Sequence, residues 1–146
     1  MQEGVTILIV EDDDGHASLA ERNLRRAGVH NTVTRFADGQ DVLEFLYDEE
    51  ANHPGPDEPG YLMLLDLRMP RVGGLEVLKR IKGDERWSNM PVIMLTTTDN
   101  PDEINECHEH GCNSYVTKPV EYEQFVEVLQ RIGMFLLVVQ VPQVKK

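Results

Sequence analysis

The chain has 146 residues, 40% hydrophobic and 27% charged, a size that suits one compact domain with its own core and not two independent ones. Its 26 acidic and 14 basic residues give a formal net charge of −12, which repels phosphate backbones and anionic membrane surfaces and argues against nucleic-acid or membrane binding. No apolar run approaches a bilayer-spanning length, and Met1-Gln2-Glu3-Gly4 lacks the basic-then-apolar pattern of a targeting signal, so a cytoplasmic location is expected.

Val5 to Val10 is a β-branched run that stops at Glu11-Asp12-Asp13-Asp14, as a buried strand does when it ends in an acidic turn. From Asp14, Ala17, Ala20, Leu24 and Ala27 step by three and four, and Gly28 closes the segment as a helix stop. Asn31 to Phe36 reads as a short strand, and Val42, Phe45 and Leu46 give a helical stripe after Gly39. Asn52 to Gly60 is rich in Pro and Gly and predicts an exposed loop inserted into the domain.

Tyr61 to Asp66 is a third apolar strand, and Gly74 opens a helix whose Leu75, Leu78 and Ile81 point to the core. Val92 to Thr96 is a fourth strand. Pro101 suits the first turn of another helix and Gly111 its end, and Asn113 to Thr117 makes a fifth strand. Strand–helix alternation repeated in this way predicts a doubly wound α/β domain, a parallel sheet with helices on both faces.

The last helix starts after Pro119 and carries Phe125, Val128, Leu129, Ile132, Phe135, Leu136 and Val139 at intervals of three or four. Beyond Gly133 it is apolar all round, so residues 1–133 are expected to form the domain and 134–146 an apolar extension, helical or extended. A homodimer through Phe125, Leu129, Ile132, Met134, Phe135, Leu136 and Val139 is the expectation this raises. Cys107 and Cys112 flank His108 and His110 at a spacing that matches neither a disulfide framework nor a common zinc site, and a helix end with one core cysteine is the simpler reading.

In a doubly wound sheet, chemistry gathers at the carboxyl ends of the strands. Just past those ends lie Glu11 and Asp12, Asp66, Thr96 and Lys118, which should therefore share one rim. Carboxylates crowded into a partly dry pocket repel one another unless a cation joins them. Mg2+ suits such a site, held by Asp12, Asp66 and a nearby backbone carbonyl, that of Arg68, with Glu11 acting through water.

The strings VEDDD, LLDLRMP, MLTTT and YVTKP, in this order, resemble the response-regulator receiver family over residues 5 to about 133. The resemblance implies a flavodoxin-like five-stranded sheet of order 2-1-3-4-5. It also implies Glu11 and Asp12 as metal-binding acids, Asp66 as the acceptor of a phosphoryl group from a histidine kinase, Lys118 as a phosphoryl contact, and Thr96 and Tyr115 as switch residues. Thr97, where a smaller residue is common, would border the phosphoryl group and narrow access to it. LTTT, together with KPVEYEQFVEVLQRIGMF and its apolar tail, is similar to single-domain regulators partnered with bacterial phytochromes.

Two other functions compete with this one. A haloacid-dehalogenase-like phosphotransferase also uses an aspartate nucleophile, but needs a second Asp two residues on, where this chain has Arg68. A receiver-like module that is never phosphorylated should have lost acidic or lysine positions, and none is lost. No output domain is expected in the few residues after 133, so the signal should leave through a protein surface.

Overall fold

The computed structural model describes residues 4–55, 60–97, 100–118 and 121–131. Five strands alternate with five helices: β1 (Thr6–Val10), α1 (Asp14–Arg26), β2 (Val33–Phe36), α2 (Gly39–Leu46), β3 (Tyr61–Asp66), α3 (Gly74–Lys82), β4 (Val92–Thr96), α4 (Pro101–Glu109), β5 (Ser114–Thr117) and α5 (Tyr122–Arg131). The strands form one parallel sheet in the order β2-β1-β3-β4-β5, as the family resemblance implied.

The continuous apolar strand runs follow from burial on both faces. On one face Ile7, Ile9, Leu62, Leu64, Ile93, Leu95 and Val116 pack with Ala17, Ala20 and Leu24 of α1 and Phe125 and Val128 of α5. On the other, Leu8, Val10, Met63, Leu65, Val92 and Met94 meet Val42, Leu43 and Leu46 of α2, Val77, Leu78 and Ile81 of α3 and Cys107 of α4. Leu43 and Val77 are thus buried, whereas Phe45 and Leu75, expected in the stripes, are half-buried at the margin.

Local signals set the helix ends. Asp13 accepts a hydrogen bond from the His16 N–H and caps α1, while Asn100 caps α4 with Pro101 in its first turn. Gly28, past the end of α1, has φ 89°, a left-handed conformation that costs glycine nothing.

β2 begins at Val33 and β5 at Ser114, later than the predicted Asn31 and Asn113, and both asparagines bond across the sheet through their side chains. Asn31 Nδ2 donates to the Val5 carbonyl at 2.7 Å, and Asn113 Oδ1 accepts from the Val92 N–H at 2.9 Å. The insertion is less open than its composition implied. His53 packs edge-on against Phe45, Tyr61 and Trp87, and lies 2.7 Å from the Tyr61 hydroxyl and 2.9 Å from the Phe45 carbonyl.

Two further expectations meet the structure differently. Both cysteines are buried free thiols, not one. Phe125, expected at a dimer contact, is wholly buried in its own domain's core, because the stripe that carries it is the face α5 turns to the sheet. The remaining contacts Ile132, Met134, Phe135, Leu136 and Val139 lie outside the described residues, as does the side chain of Leu129 and the boundary at 133. Among the described residues no helix is long and apolar enough to cross a membrane.

Candidate functional site

The parallel register brings the carboxyl ends of β1, β3, β4 and β5 to one rim. Val10 pairs with Leu65, Asp66 with Leu95, and Thr96 with Thr117, so Glu11, Asp66, Thr96 and Lys118 leave the sheet at the same level. The Lys118 N–H donates to the Thr96 carbonyl at 2.7 Å and continues that pairing one residue further.

Glu11 is fully buried and Asp66 is 3% exposed. Between them sits the Lys118 ammonium, 2.8 Å from Glu11 Oε1 and 3.3 Å from Asp66 Oδ1. The other Glu11 carboxylate oxygen accepts from the Asp13 N–H at 3.1 Å. Asp12 is exposed and completes a group with Glu11 and Asp66 in which one oxygen of each lies within 4.8 Å of the others.

Three carboxylates face one ammonium here, and the imbalance falls on Asp66. Burial, then hydrogen bonding and charge repulsion from Glu11, push its carboxyl up from 3.8 to about 7, against the pull of Lys118. Burial alone would lower the Lys118 ammonium, but its hydrogen bond to Glu11 and the charges of Asp66 and Glu11 outweigh that and raise it. An all-oxygen donor set, one member of which resists ionising for want of positive charge, fits a hard divalent cation of the magnesium class.

Close approach of backbone also shapes the site. A Cβ on Gly74 would stand 2.1 Å from the Asp66 carbonyl oxygen and 2.8 Å from the Leu67 Cα, so only glycine lets α3 begin against the end of β3. The Gly74 N–H donates to the Leu67 carbonyl at 2.9 Å. The intervening loop is tied on both sides. Arg68 ion-pairs with Glu103 of α4, while its N–H lies 3.4 Å from Asp66 Oδ1. Arg71, at φ 64°, pairs with Asp38 and Asp41 at the start of α2.

Of the residues expected from the sequence, Glu11, Asp12, Asp66 and Lys118 cluster, and Thr96 lies buried at the adjoining strand end. Thr97 is exposed beside it. Tyr115 is half-buried on β5, its ring 5.9 Å from that of His108 in an edge-on contact. Among the described residues the acidic group is the only set of three or more possible metal ligands, and Cys107, His108, His110 and Cys112 form none.

Sequence reasoning passed over Gly74 as anything but a helix start, and over Arg35. From β2, Arg35 donates to the Glu11 carbonyl through Nε at 3.1 Å and Nη2 at 2.8 Å, and its Nη1 pairs with Asp14. A lone basic residue in the short strand VTRF, in a chain whose first strand ends in four acids, was the available signal.

This acidic rim lies at the carboxyl end of a parallel sheet of order β2-β1-β3-β4-β5. The sequence model of the family described as the response regulator receiver domain matches residues 7–130, and the chain belongs to that family, which serves two-component signalling. It is 36% identical over 131 residues to the probable methanogenesis regulatory protein FilR2 of Methanothrix harundinacea, covering 90% of this chain and 83% of that one. It is 32% identical to the response regulator Rcp1 of Synechocystis, over 90% of this chain and 88% of that one. The Mn2+-bound form of Rcp1 superposes with a TM-score of 0.70, over 90% of this chain and 94% of that chain. The bacteriophytochrome response regulator AtBRR superposes with a TM-score of 0.74 at 35% identity, over 89% of this chain and 93% of that one.

Proposed function

We propose that this chain is a response-regulator receiver domain whose Asp66 accepts a phosphoryl group from a histidine kinase in a Mg2+-dependent reaction. The observation that carries the reading is the burial of Asp66 against Glu11 and Lys118 with Asp12 within reach. A carboxylate oxygen of Asp66 attacks phosphorus, the bond from phosphorus to the kinase's imidazole nitrogen breaks, and the imidazole takes up a proton.

Glu11, Asp12 and Asp66, with the Arg68 backbone carbonyl, would hold Mg2+, which when bound supplies positive charge to the Asp66 carboxylate and to the transferring oxygens. Lys118 contributes a compact ammonium already aimed at Asp66. Thr96 and Thr97 offer hydroxyls to the new phosphoryl group, and Thr97 narrows access of water to it. Movement of Thr96 toward that group opens space into which the Tyr115 ring turns, which changes the face built by α4, β5 and α5. A Thr97→Ala protein with an unchanged phosphoryl lifetime would remove Thr97 from this scheme.

The likeness to the bacteriophytochrome response regulator AtBRR supports a bacteriophytochrome as the kinase. The apolar composition of residues 134–139 supports a homodimer through the tail, with Phe125 now excluded from the contact. The charge of −12 supports protein partners over nucleic acid or membrane. Incubation with an autophosphorylated bacteriophytochrome kinase tests the partner: label should pass to wild type and not to Asp66→Asn, and equal labelling of both contradicts the assignment.

A further inference from the structure

Every polar atom of Glu11 is engaged. Its N–H donates to the Phe36 carbonyl at 3.0 Å, its carboxylate oxygens accept from Lys118 and from the Asp13 N–H, and its carbonyl accepts twice from Arg35. Two of these partners come from the edge strand β2. Ile9 pairs with Arg35 and Val10 with Phe36, so the ladder between β1 and β2 delivers the guanidinium to the place where β1 becomes the acidic turn.

We infer that Arg35 is a positioning residue for divalent-cation binding: its bidentate grip on the Glu11 carbonyl fixes the Glu11–Asp12 peptide and thereby sets the Asp12 carboxylate against Glu11 and Asp66. The inference rests on the cation site proposed above. The Asp12 side chain is exposed, so its place depends chiefly on the backbone that carries it. The peptide just before Asp12 is the one Arg35 holds. Arg35 also pairs with Asp14, which ties the first residue of α1 to the same fork and spans the turn from both sides.

The guanidinium geometry is specific to this task. Its planar donors reach one carbonyl through Nε and Nη2 while Nη1 remains for Asp14, an arrangement a lysine ammonium cannot reproduce from a single point. Charge acts in the opposite direction. A cation beside four acidic residues weakens their attraction for a second cation, so a purely Coulombic Arg35 would oppose metal binding. The two roles therefore predict opposite outcomes when Arg35 is replaced.

The test is Mn2+ binding to the full chain, read by electron paramagnetic resonance of the free ion, for wild type, Arg35→Lys and Arg35→Gln. Measurements at low salt and at 0.5 M KCl, where screening acts within about 4 Å, separate charge from geometry. Positioning predicts that Arg35→Lys, which keeps the charge, weakens binding by about tenfold, and that the loss persists at high salt. It predicts weaker binding by Arg35→Gln at high salt as well. An Arg35→Lys protein that binds as tightly as wild type, or an Arg35→Gln protein that binds more tightly in both salts, overturns the inference while leaving the cation site intact. Wild type that fails to bind Mn2+ overturns the site itself, and the inference with it.

Discussion

Lys118 and Glu11, 107 positions apart in the chain, form an ion pair of 2.8 Å in which both side chains are almost wholly buried. The same ammonium reaches Asp66 at 3.3 Å, so one lysine balances two buried carboxylates. Removing it should hurt more than deleting an ordinary surface pair. We expect Lys118→Met to lose phosphorylation on Asp66 and to be less stable than wild type by about 1–3 kcal/mol at pH 8, with a smaller loss at pH 5.5, where Asp66 can take up a proton. Urea unfolding at the two pH values checks this, and equal losses would count against the shared-cation account.

Asp66 also gives the cation-free protein a particular pH dependence. Its folded value of about 7 lies above the ordinary 3.8, so the folded state binds more protons between those values. The stabilising contribution is therefore complete below pH 3.8 and disappears as the pH rises through about 7. In EDTA the urea midpoint should fall between pH 5 and pH 8. Asp66→Asn should flatten that fall, and Mg2+ should restore the wild-type midpoint at pH 8. Identical slopes for wild type and Asp66→Asn would remove Asp66 as their source.

Gly74 sets how closely α3 meets the phosphoacceptor strand. Gly74→Ala gains helix propensity of about 1 kcal/mol, yet its Cβ must displace backbone from 2.1 Å. Overpacking against backbone outweighs the gain, and a net loss of roughly 2–4 kcal/mol is expected. Gly28→Ala, with nothing within 4 Å but a φ of 89°, should lose only about 1 kcal/mol. Equal losses at the two positions would mean that close approach to Asp66 is not what requires glycine.

Phe125 and the tail should separate cleanly. Phe125→Ala opens a cavity in the core and should lower stability by about 3–5 kcal/mol. Removal of residues 134–146 should instead convert a dimer to a monomer by sedimentation at micromolar concentration. A wild-type protein that is already monomeric, with and without phosphorylation, contradicts the dimer proposal.

These cases also mark what a sequence reveals. β1, β3, β4 and the starts of α1, α3 and α4 were legible because apolar runs, Asp13, Gly74 and Pro101 are local signals. β2 and β5 begin later than Asn31 and Asn113, whose side chains bond to Val5 and Val92, partners far away in sequence that a local pattern does not reveal. Periodicity placed Phe125 on a stripe without saying what the stripe packs against. Glu11 and Lys118 were identified by their position after strands, but their direct contact belongs to tertiary structure, as does the grip of Arg35 on the Glu11 carbonyl.

The central claim is chemical: Asp66 is the acceptor. Wild type and Asp66→Asn should be incubated with acetyl phosphate and Mg2+ and their intact masses compared. The account predicts one added phosphoryl group on wild type, lost when Mg2+ is chelated beforehand, and none on Asp66→Asn. An unchanged wild-type mass, or equal addition to the variant, would contradict it.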